Sequence, residues 1–278
     1  MRRPIPDPRH ESTQRRPLAV HASAVDTAPA MQILVVDVGG THVKVASTDH
    51  PDLSEYASGP QMNAADMVMQ VLKLTRSWHY DAVTIGYPGV VAGGRPVREP
   101  QNLGAGWVGF DFSTAFGRPV RILNDAAMQA LGDYAGGKML FLGLGTGLGS
   151  ALIVDRVVVP MELAHLQWRK GRDYEHYVGD HGRKRLGEKK WRVKVLRVVS
   201  DFRNALQPDE VVLGGGNARR LKRLPPNTRL GGTLAAFRGG LRVWDDQAHG
   251  EIHVWPADAA DMADKSKRRR KTTARTPR

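Results

Sequence analysis

The feature that most constrains this chain is a glycine-rich hairpin that occurs twice. Residues 33–37 are a short run dominated by β-branched side chains, Gly39-Gly40-Thr41 is a turn, and residues 43–46 form a second run. About a hundred residues later the pattern returns. Residues 139–144 are apolar, Gly145-Thr146-Gly147-Leu148-Gly149 is the turn, and residues 150–154 are apolar again. Asp155-Arg156 then turns the chain into a third run at 157–159. Such alternations of strand and glycine turn read as β-hairpins.

Glycine lets a turn take positive φ and lets backbone approach a ligand, leaving N–H groups free to face phosphate oxygens. Thr41 and Thr146 add a hydroxyl to each turn. Dinucleotide and P-loop sites are the rival readings, but both need the glycine loop to open directly into a helix. Strands follow both loops here. A single glycine hairpin is most simply a turn with no ligand. Two copies, each opening an α/β half and each with a threonine, shift that balance.

The remaining periodicities fit two halves. Residues 63–78 read as an amphipathic helix, with Met67, Val68, Val71, Leu72 and Leu74 apolar and Asn63 and Asp66 placed as a capping pair. Residues 82–85 and 120–123 read as buried strands, the second followed by a helix over 126–134 that stops at Gly136-Gly137. In the second half, 189–206 is a long helix ended before Pro208, and 211–213 is a strand running into Gly214-Gly215-Gly216 and a helix. A last helix lies between residues 233 and 244. The pattern predicts a duplicated α/β chain with a cleft between the halves, expected as an N-terminal lobe over 31–123 and a C-terminal lobe over 124–258.

At 278 residues the chain can bury one large or two modest cores. It has no cysteine, which excludes disulfides, thiolate zinc sites and cysteine nucleophiles. No apolar run reaches the roughly 20 residues that span a bilayer, so a soluble, cytoplasmic protein with no membrane partner is expected. Of the formal net charge of +13, about +8 lies in residues 265–278 and about +2 in the first 30, leaving about +3 for the middle. Residues 1–30 and 259–278 are expected to be a disordered extension and a disordered basic tail. Asp7, Glu11 and Asp26, with no apolar core, argue against a targeting peptide, and a start at Met31 is an equally simple explanation. The basic tail is expected to be solvated, with no specific nucleic-acid partner.

Seven blocks in order then carry a resemblance. They are Asp-Val-Gly-Gly-Thr-His-Val-Lys at 37–44, Tyr-Pro-Gly-Val at 87–90, Asn-Leu-Gly-Ala-Gly-Trp at 102–107, Leu-Asn-Asp-Ala at 123–126, Leu-Gly-Thr-Gly-Leu-Gly at 144–149, Glu-Leu-Ala-His-Leu at 162–166 and Leu-Gly-Gly-Gly-Asn at 213–217. The chain resembles the ROK sugar kinases, especially the branch containing polyphosphate glucokinases, over roughly residues 33–244. The resemblance implies the duplicated ribonuclease H-like fold of the actin-like ATPases and hexokinase, with two lobes and a central cleft. It also implies phosphoryl transfer from polyphosphate or ATP, or both, to the 6-hydroxyl of glucose.

A sugar hydroxyl needs a carboxylate to orient it and accept its proton. On local sequence alone, Asn124-Asp125 reads as a helix cap; the resemblance makes Asp125 the general base. It likewise makes Asn102, Asn124, Asp125, Glu162 and His165 the sugar-binding set. Taken alone, His165 reads as an ordinary packed or surface histidine. By the same resemblance Asp37 holds Mg²⁺ through water. Gly39, Gly40, Thr41 and Lys44 lie near the transferred phosphate, with Gly145, Thr146 and Gly147 at the others. Gly214, Gly215 and Gly216 let a nucleotide or polyphosphate lie against the backbone.

Two departures from the family pattern stand out. Ala164-His165 replaces the usual Gly-His, and the cysteine-rich zinc knuckle that follows the histidine in many members is missing. His176 and His181 lack a metal spacing, so no zinc is expected, and whether Glu175 substitutes for the knuckle's glutamate stays open. The basic stretch 169–197 reads either as a guide for a polyanion or as solvated helix faces. The resemblance implies a homodimer. The alternatives are an ATP-dependent kinase of another hexose or amino sugar, or an inactive sugar-sensing regulator. The regulator would be expected to carry a DNA-binding domain ahead of the kinase fold, where only about 30 residues stand.

Overall fold

The computed structural model describes residues 31–244 and 253–254. The expected terminal segments 1–30 and 259–278 lie outside the described residues, as does the end of the expected C-terminal lobe.

The first half begins with the antiparallel meander β1 (Ile33–Val38), β2 (His42–Ser47) and β3 (Ser54–Ala57). Helix α1 (Ala64–Leu74) leads to β4 (Ala82–Tyr87). A two-residue hairpin, β5 (Val91–Ala92) and β6 (Arg95–Pro96), and the short α2 (Phe112–Phe116) precede β7 (Val120–Asn124). The sheet order is β3-β2-β1-β4-β7, with β1, β4 and β7 parallel. Helix α3 (Asp125–Asp133) then crosses to the second half.

There the meander recurs as β8 (Lys138–Leu144), β9 (Leu148–Val154) and β10 (Val157–Met161). A small hairpin, β11 (Gln167–Arg169) and β12 (Arg172–Asp173), is followed by α4 (Glu175–Val178), α5 (Asp180–Leu186) and the long α6 (Glu188–Leu206). The chain closes with β13 (Glu210–Gly214), β14 (Thr228–Leu230), α7 (Ala235–Arg242) and β15 (His253–Val254). The second sheet runs β14-β13-β8-β9-β10-β15. Apart from β15, both sheets share one plan, three antiparallel strands followed by two parallel ones; this is the duplicated α/β arrangement that the two hairpins predict and the ribonuclease H-like plan that the resemblance implies.

Alternation along the strands builds three cores. In β1, Leu34, Val36 and Val38 pack under α1 and α2, whereas Ile33 and Val35 face the other way, toward α3. In β8, Met139 and Phe141 share that central layer, and Leu140, Leu142 and Leu144 pack beneath α6. Helix α6 presents Trp191, Val195, Val198, Val199 and Phe202 at helical spacing, each fully burying side chain contributing roughly 1.5–3 kcal/mol.

The central layer is closed by α3 against α7, whose backbones touch. A methyl on Gly132 would overlap the Ala235 carbonyl, and one on Gly239 the Met128 carbonyl, so only glycine permits this crossing. Helix α7 also reaches the first sheet, where the Thr84 hydroxyl donates to the Gly240 carbonyl at 2.7 Å.

Three expectations need adjustment. The capping box of Asn63 and Asp66 forms, but α1 ends at Leu74 rather than at residue 78, with Thr75 leaving helical geometry as the C-cap while its N–H and hydroxyl both reach the Val71 carbonyl. Trp78 instead stacks on His50. After Gly214–Gly216 the chain makes a single 3-10 turn, Ala218–Arg220, and not the expected helix. Asn217 pins the segment there through its N–H to the Leu144 carbonyl and its amide to the Gly145 carbonyl. Finally, Gly39, Gly40, Gly145 and Gly147 do not take left-handed φ. Close approach requires glycine at the first turn, since a Cβ on Gly39 would lie 2.9 Å from the His42 carbonyl. Positive φ is used at Gly215, where φ is 77°.

Among the described residues no helix is long and apolar enough to cross a membrane.

Candidate active site

Asp37 is the break in the pattern of β1. Its neighbours Val36 and Val38 point into the first core, so Asp37 shares the inward face with Val35, where an apolar residue would be expected. Lys44 lies directly opposite it on β2, on the same face as Ala46. On the other side Gly86 of β4 leaves space, since a Cβ there would come within 3.3 Å of the Asp37 carboxylate. Burial pushes the Asp37 carboxyl up to about 6, against the opposing charge of Lys44.

Asp125 stands where β7 ends and α3 begins. Asn124 caps the helix, accepting from the Ala127 N–H at 3.1 Å, while its amide donates to the Gly89 carbonyl at 3.1 Å. That frees Asp125, the first helical residue, to aim its carboxylate out of the end of the strand, steadied by the Ala126 N–H at 2.7 Å. Burial is the main cause that raises its carboxyl to about 7, and the charges of Asp37 and Glu162 push the same way. The helix cap and the candidate general base, which compete as readings of the sequence, are thus held by adjacent residues.

Glu162 precedes and His165 ends a 3-10 turn, Leu163–His165, with carboxylate and imidazole 3.6 Å apart and both side chains about half exposed. Burial raises the Glu162 carboxyl, with Glu175 adding to the effect and His165 and Arg98 opposing it. Arg98 comes from the first half of the chain and Glu162 from the second, so the two halves meet electrostatically here. Asn102 packs against the first glycine turn, its Cβ 3.2 Å from where a Cβ on Gly40 would stand. Its loop is held by Glu99, whose carboxylate accepts the N–H groups of Gly106, Trp107 and Val108 at 3.1 to 3.2 Å.

A cavity of about 430 Å³ opens beside Asp37, while Asn102, Asp125, Glu162 and His165 lie outside its lining. Asp37 and Lys44 line it together with Gly214, Gly215 and Gly216. Another part of its wall is a further glycine turn, Gly231-Gly232-Thr233, with Leu230, Leu234, Arg219 and Asp133 around it. The turns at Gly39–Thr41 and Gly145–Gly147 lie outside this lining. In the latter turn, Gly145 donates its N–H to the Gly147 carbonyl, and Leu148 donates to the Glu175 carboxylate at 3.1 Å. The N–H groups of Thr146 and Gly147 keep no partner among the described residues. Glu175 lies so close that a methyl on Gly147 would overlap it.

Sequence reasoning overlooked Gly231, Gly232 and Thr233, although they repeat the Gly-Gly-Thr of residues 39–41. It also passed over Glu99, whose partners lie seven to nine residues on, and Asp133, whose carboxylate meets the Gly232 N–H 99 residues later. Among the described residues no group of three or more His, Cys, Asp or Glu side chains converges to hold a metal. A single inward carboxylate such as Asp37 suits Mg²⁺, which keeps several waters and relies on substrate phosphates for its other ligands.

Residues 33–159 match the model of the ROK family. The chain is 32% identical over 157 residues to the polyphosphate glucokinase of Mycobacterium tuberculosis (strain ATCC 25177 / H37Ra), a match covering 51% of this chain and 58% of that relative. Among solved structures, the inorganic polyphosphate/ATP-glucomannokinase from Arthrobacter sp. strain KM superposes with a TM-score of 0.66 at 24% identity, over 76% of this chain and 96% of that one. A ROK family glucokinase from Streptomyces griseus, in complex with glucose and AMPPNP, gives 0.61 at 16% identity, over 76% and 98%. These likenesses give the fold as that of the ROK sugar kinases.

Proposed function

From a chain with ROK-family sequence over residues 33–159 and the ROK kinase fold, we propose a sugar kinase that transfers a phosphoryl group from polyphosphate or ATP to the 6-hydroxyl of glucose. The observation that carries this reading is the Asp125 carboxyl. It sits at the end of β7 with its proton affinity raised to about 7 by burial and by the charge of Asp37, the inward carboxylate that lines the glycine-rich cavity. A general base is most effective when its pKa lies near the operating pH. Glucose phosphorylation by the M. tuberculosis relative, as its name states, supports the choice of acceptor.

In this reading the sugar lies between Asn102 of the first half and the Glu162–His165 pair of the second. Asn124 has both ends of its amide engaged with backbone, so it contributes one remaining N–H and otherwise positions Asp125. Asp125 accepts the proton of the 6-hydroxyl as that oxygen attacks the terminal phosphorus. The bond from phosphorus to the bridging oxygen breaks, and ADP or a shortened polyphosphate leaves. Lys44 and the free N–H groups of Thr146 and Gly147 offset the charge on the phosphates. Mg²⁺, held through water by Asp37, supplies further charge neutralisation when bound.

The donor occupies the 430 Å³ cavity, whose Leu53, Leu230 and Leu234 suit a nucleoside better than a bare phosphate chain. Residues 31–123 and 124–258 act as the two lobes, and the protein works as a soluble cytoplasmic enzyme, as a homodimer and without a specific nucleic-acid partner. The test is production of glucose 6-phosphate from glucose, Mg²⁺ and either donor, with Asp125→Asn as control. Glucose binding without turnover on any donor would favour the sensor reading instead.

A further inference from the structure

We infer that Asp133 is a positioning residue for the nucleoside end of the donor cavity, holding the Gly231-Gly232 turn in place from the far end of the helix that carries Asp125. This rests on the reading of that cavity as the donor pocket.

Asp133 is the last residue of α3, and its side chain is only 4% exposed. Its two carboxylate oxygens each lie 3.1 Å from the Gly232 N–H, and one of them also accepts from Arg238 of α7 at 2.8 Å. The turn is shaped around this group. A Cβ on Gly231 would stand 2.5 Å from one carboxylate oxygen, and a Cβ on Gly232 would stand 3.2 Å from the other and overlap Arg238. Neither glycine takes a left-handed φ, so close approach to Asp133 and its partner accounts for both.

The end of α3 is itself fixed. Its last carbonyls would otherwise lack donors. Arg242 donates to the Leu131 and Tyr134 carbonyls, Arg238 to Gly132 and Arg229 to Asp133. Three guanidinium groups from two other elements therefore lock the helix end from which Asp133 reaches the turn.

Helix geometry sets what Asp133 can influence. Asp125 and Asp133 are eight residues apart on α3, about 12 Å along the axis. If the phosphorus under attack lies at Asp125, the group lying against Gly231-Gly232 is the distal part of the donor. The lining there includes Leu230, Leu234 and the Arg219–Thr233 pair, joined by a 2.6 Å hydrogen bond. An inorganic tripolyphosphate ends nearer Asp37 and Lys44, whereas a nucleotide extends to the turn.

The experiment is isothermal titration of the full chain, wild type and Asp133→Asn, with ADP, with inorganic tripolyphosphate and with glucose. The asparagine keeps the shape but puts an N–H₂ or a neutral oxygen against the Gly232 N–H and Arg238. Loss of charge-assisted hydrogen bonds of this kind weakens binding by about tenfold or more. The expected result is ADP affinity lowered by about that factor, with glucose and tripolyphosphate affinities within about twofold of wild type. A merely structural role would lower the fraction of active protein for all three ligands without changing one affinity selectively. If Asp133→Asn does not fold, Gly232→Ala displaces the same turn while keeping the buried carboxylate, and the same selective loss of ADP is expected. Equal ADP affinity in wild type and a folded variant overturns the inference, as does a parallel loss for tripolyphosphate. Failure of the wild type to bind ADP at all overturns the cavity reading beneath it, and that outcome is visible before any variant is compared.

Discussion

Replacing Asp125 by Asn should abolish turnover and yet make the folded chain more stable at alkaline pH. The Asp125 carboxyl is raised from 3.8 to about 7, which disfavours its ionised form in the folded state by roughly 4 kcal/mol. The sign follows from proton binding. Between about pH 4 and 7 the folded chain holds this proton and the unfolded chain releases it, so folding stability falls as pH rises, and the full loss is present above 7. Asparagine carries no charge at any pH and keeps an oxygen to accept from the Ala126 N–H. Water in the open cleft screens part of the penalty, so the gain expected for Asp125→Asn at pH 8 is about 1–3 kcal/mol. For a chain of this size that corresponds to several degrees in Tm, at about 2–4 °C per kcal/mol. Thermal unfolding of both proteins at pH 8 and at pH 4.5, without ligands, is the assay. The difference should be full at pH 8 and reduced to about 1 kcal/mol or less at pH 4.5, just above the unfolded carboxyl's 3.8, while glucose phosphorylation drops by roughly 10² to 10⁴. Equal or lower stability of Asp125→Asn at pH 8 would refute the claim that the fold holds this carboxylate at an energetic disadvantage.

Asp37→Asn removes the neighbouring charge that helps raise Asp125, so the acid limb of the kcat/KM profile should move to lower pH, with the Mg²⁺ requirement raised roughly 10- to 100-fold. Glu99→Ala releases the three N–H groups that hold the Asn102 loop. Steady-state kinetics should show glucose KM raised about tenfold and the donor KM unchanged. Gly239→Ala drives a methyl into the Met128 carbonyl at the crossing of α3 and α7. Urea unfolding should show a loss of roughly 1–3 kcal/mol, toward the upper end because the atom the methyl meets is backbone and cannot swing aside.

What could be read from the sequence follows from how local each signal is. The paired hairpins, the Asn63 and Asp66 capping box and the long helix over 189–206 depend on neighbours within a few residues, and each appears in the structure where the pattern puts it. Asp37 and Asp125 could be named because motif blocks mark them, but their raised proton affinity could not, since it arises from β1, α3 and the Glu162 turn meeting across the chain. The helix expected after Gly216 fails for a similar reason, because Asn217 bonds to Leu144 and Gly145, more than seventy residues earlier. Asp133 gave no signal of its own at the end of an apolar helix. Its role depends on Gly232, about a hundred residues later, and the repeated Gly-Gly-Thr was the one clue to that turn.

The most direct measurement is ³¹P NMR of the purified full chain incubated with glucose and Mg²⁺, given ATP in one sample and polyphosphate in another, with Asp125→Asn in parallel. The account predicts a glucose 6-phosphate resonance growing with at least one donor for the wild type and staying at background for the variant. Absence of sugar phosphate with both donors, or equal rates in wild type and Asp125→Asn, would contradict it.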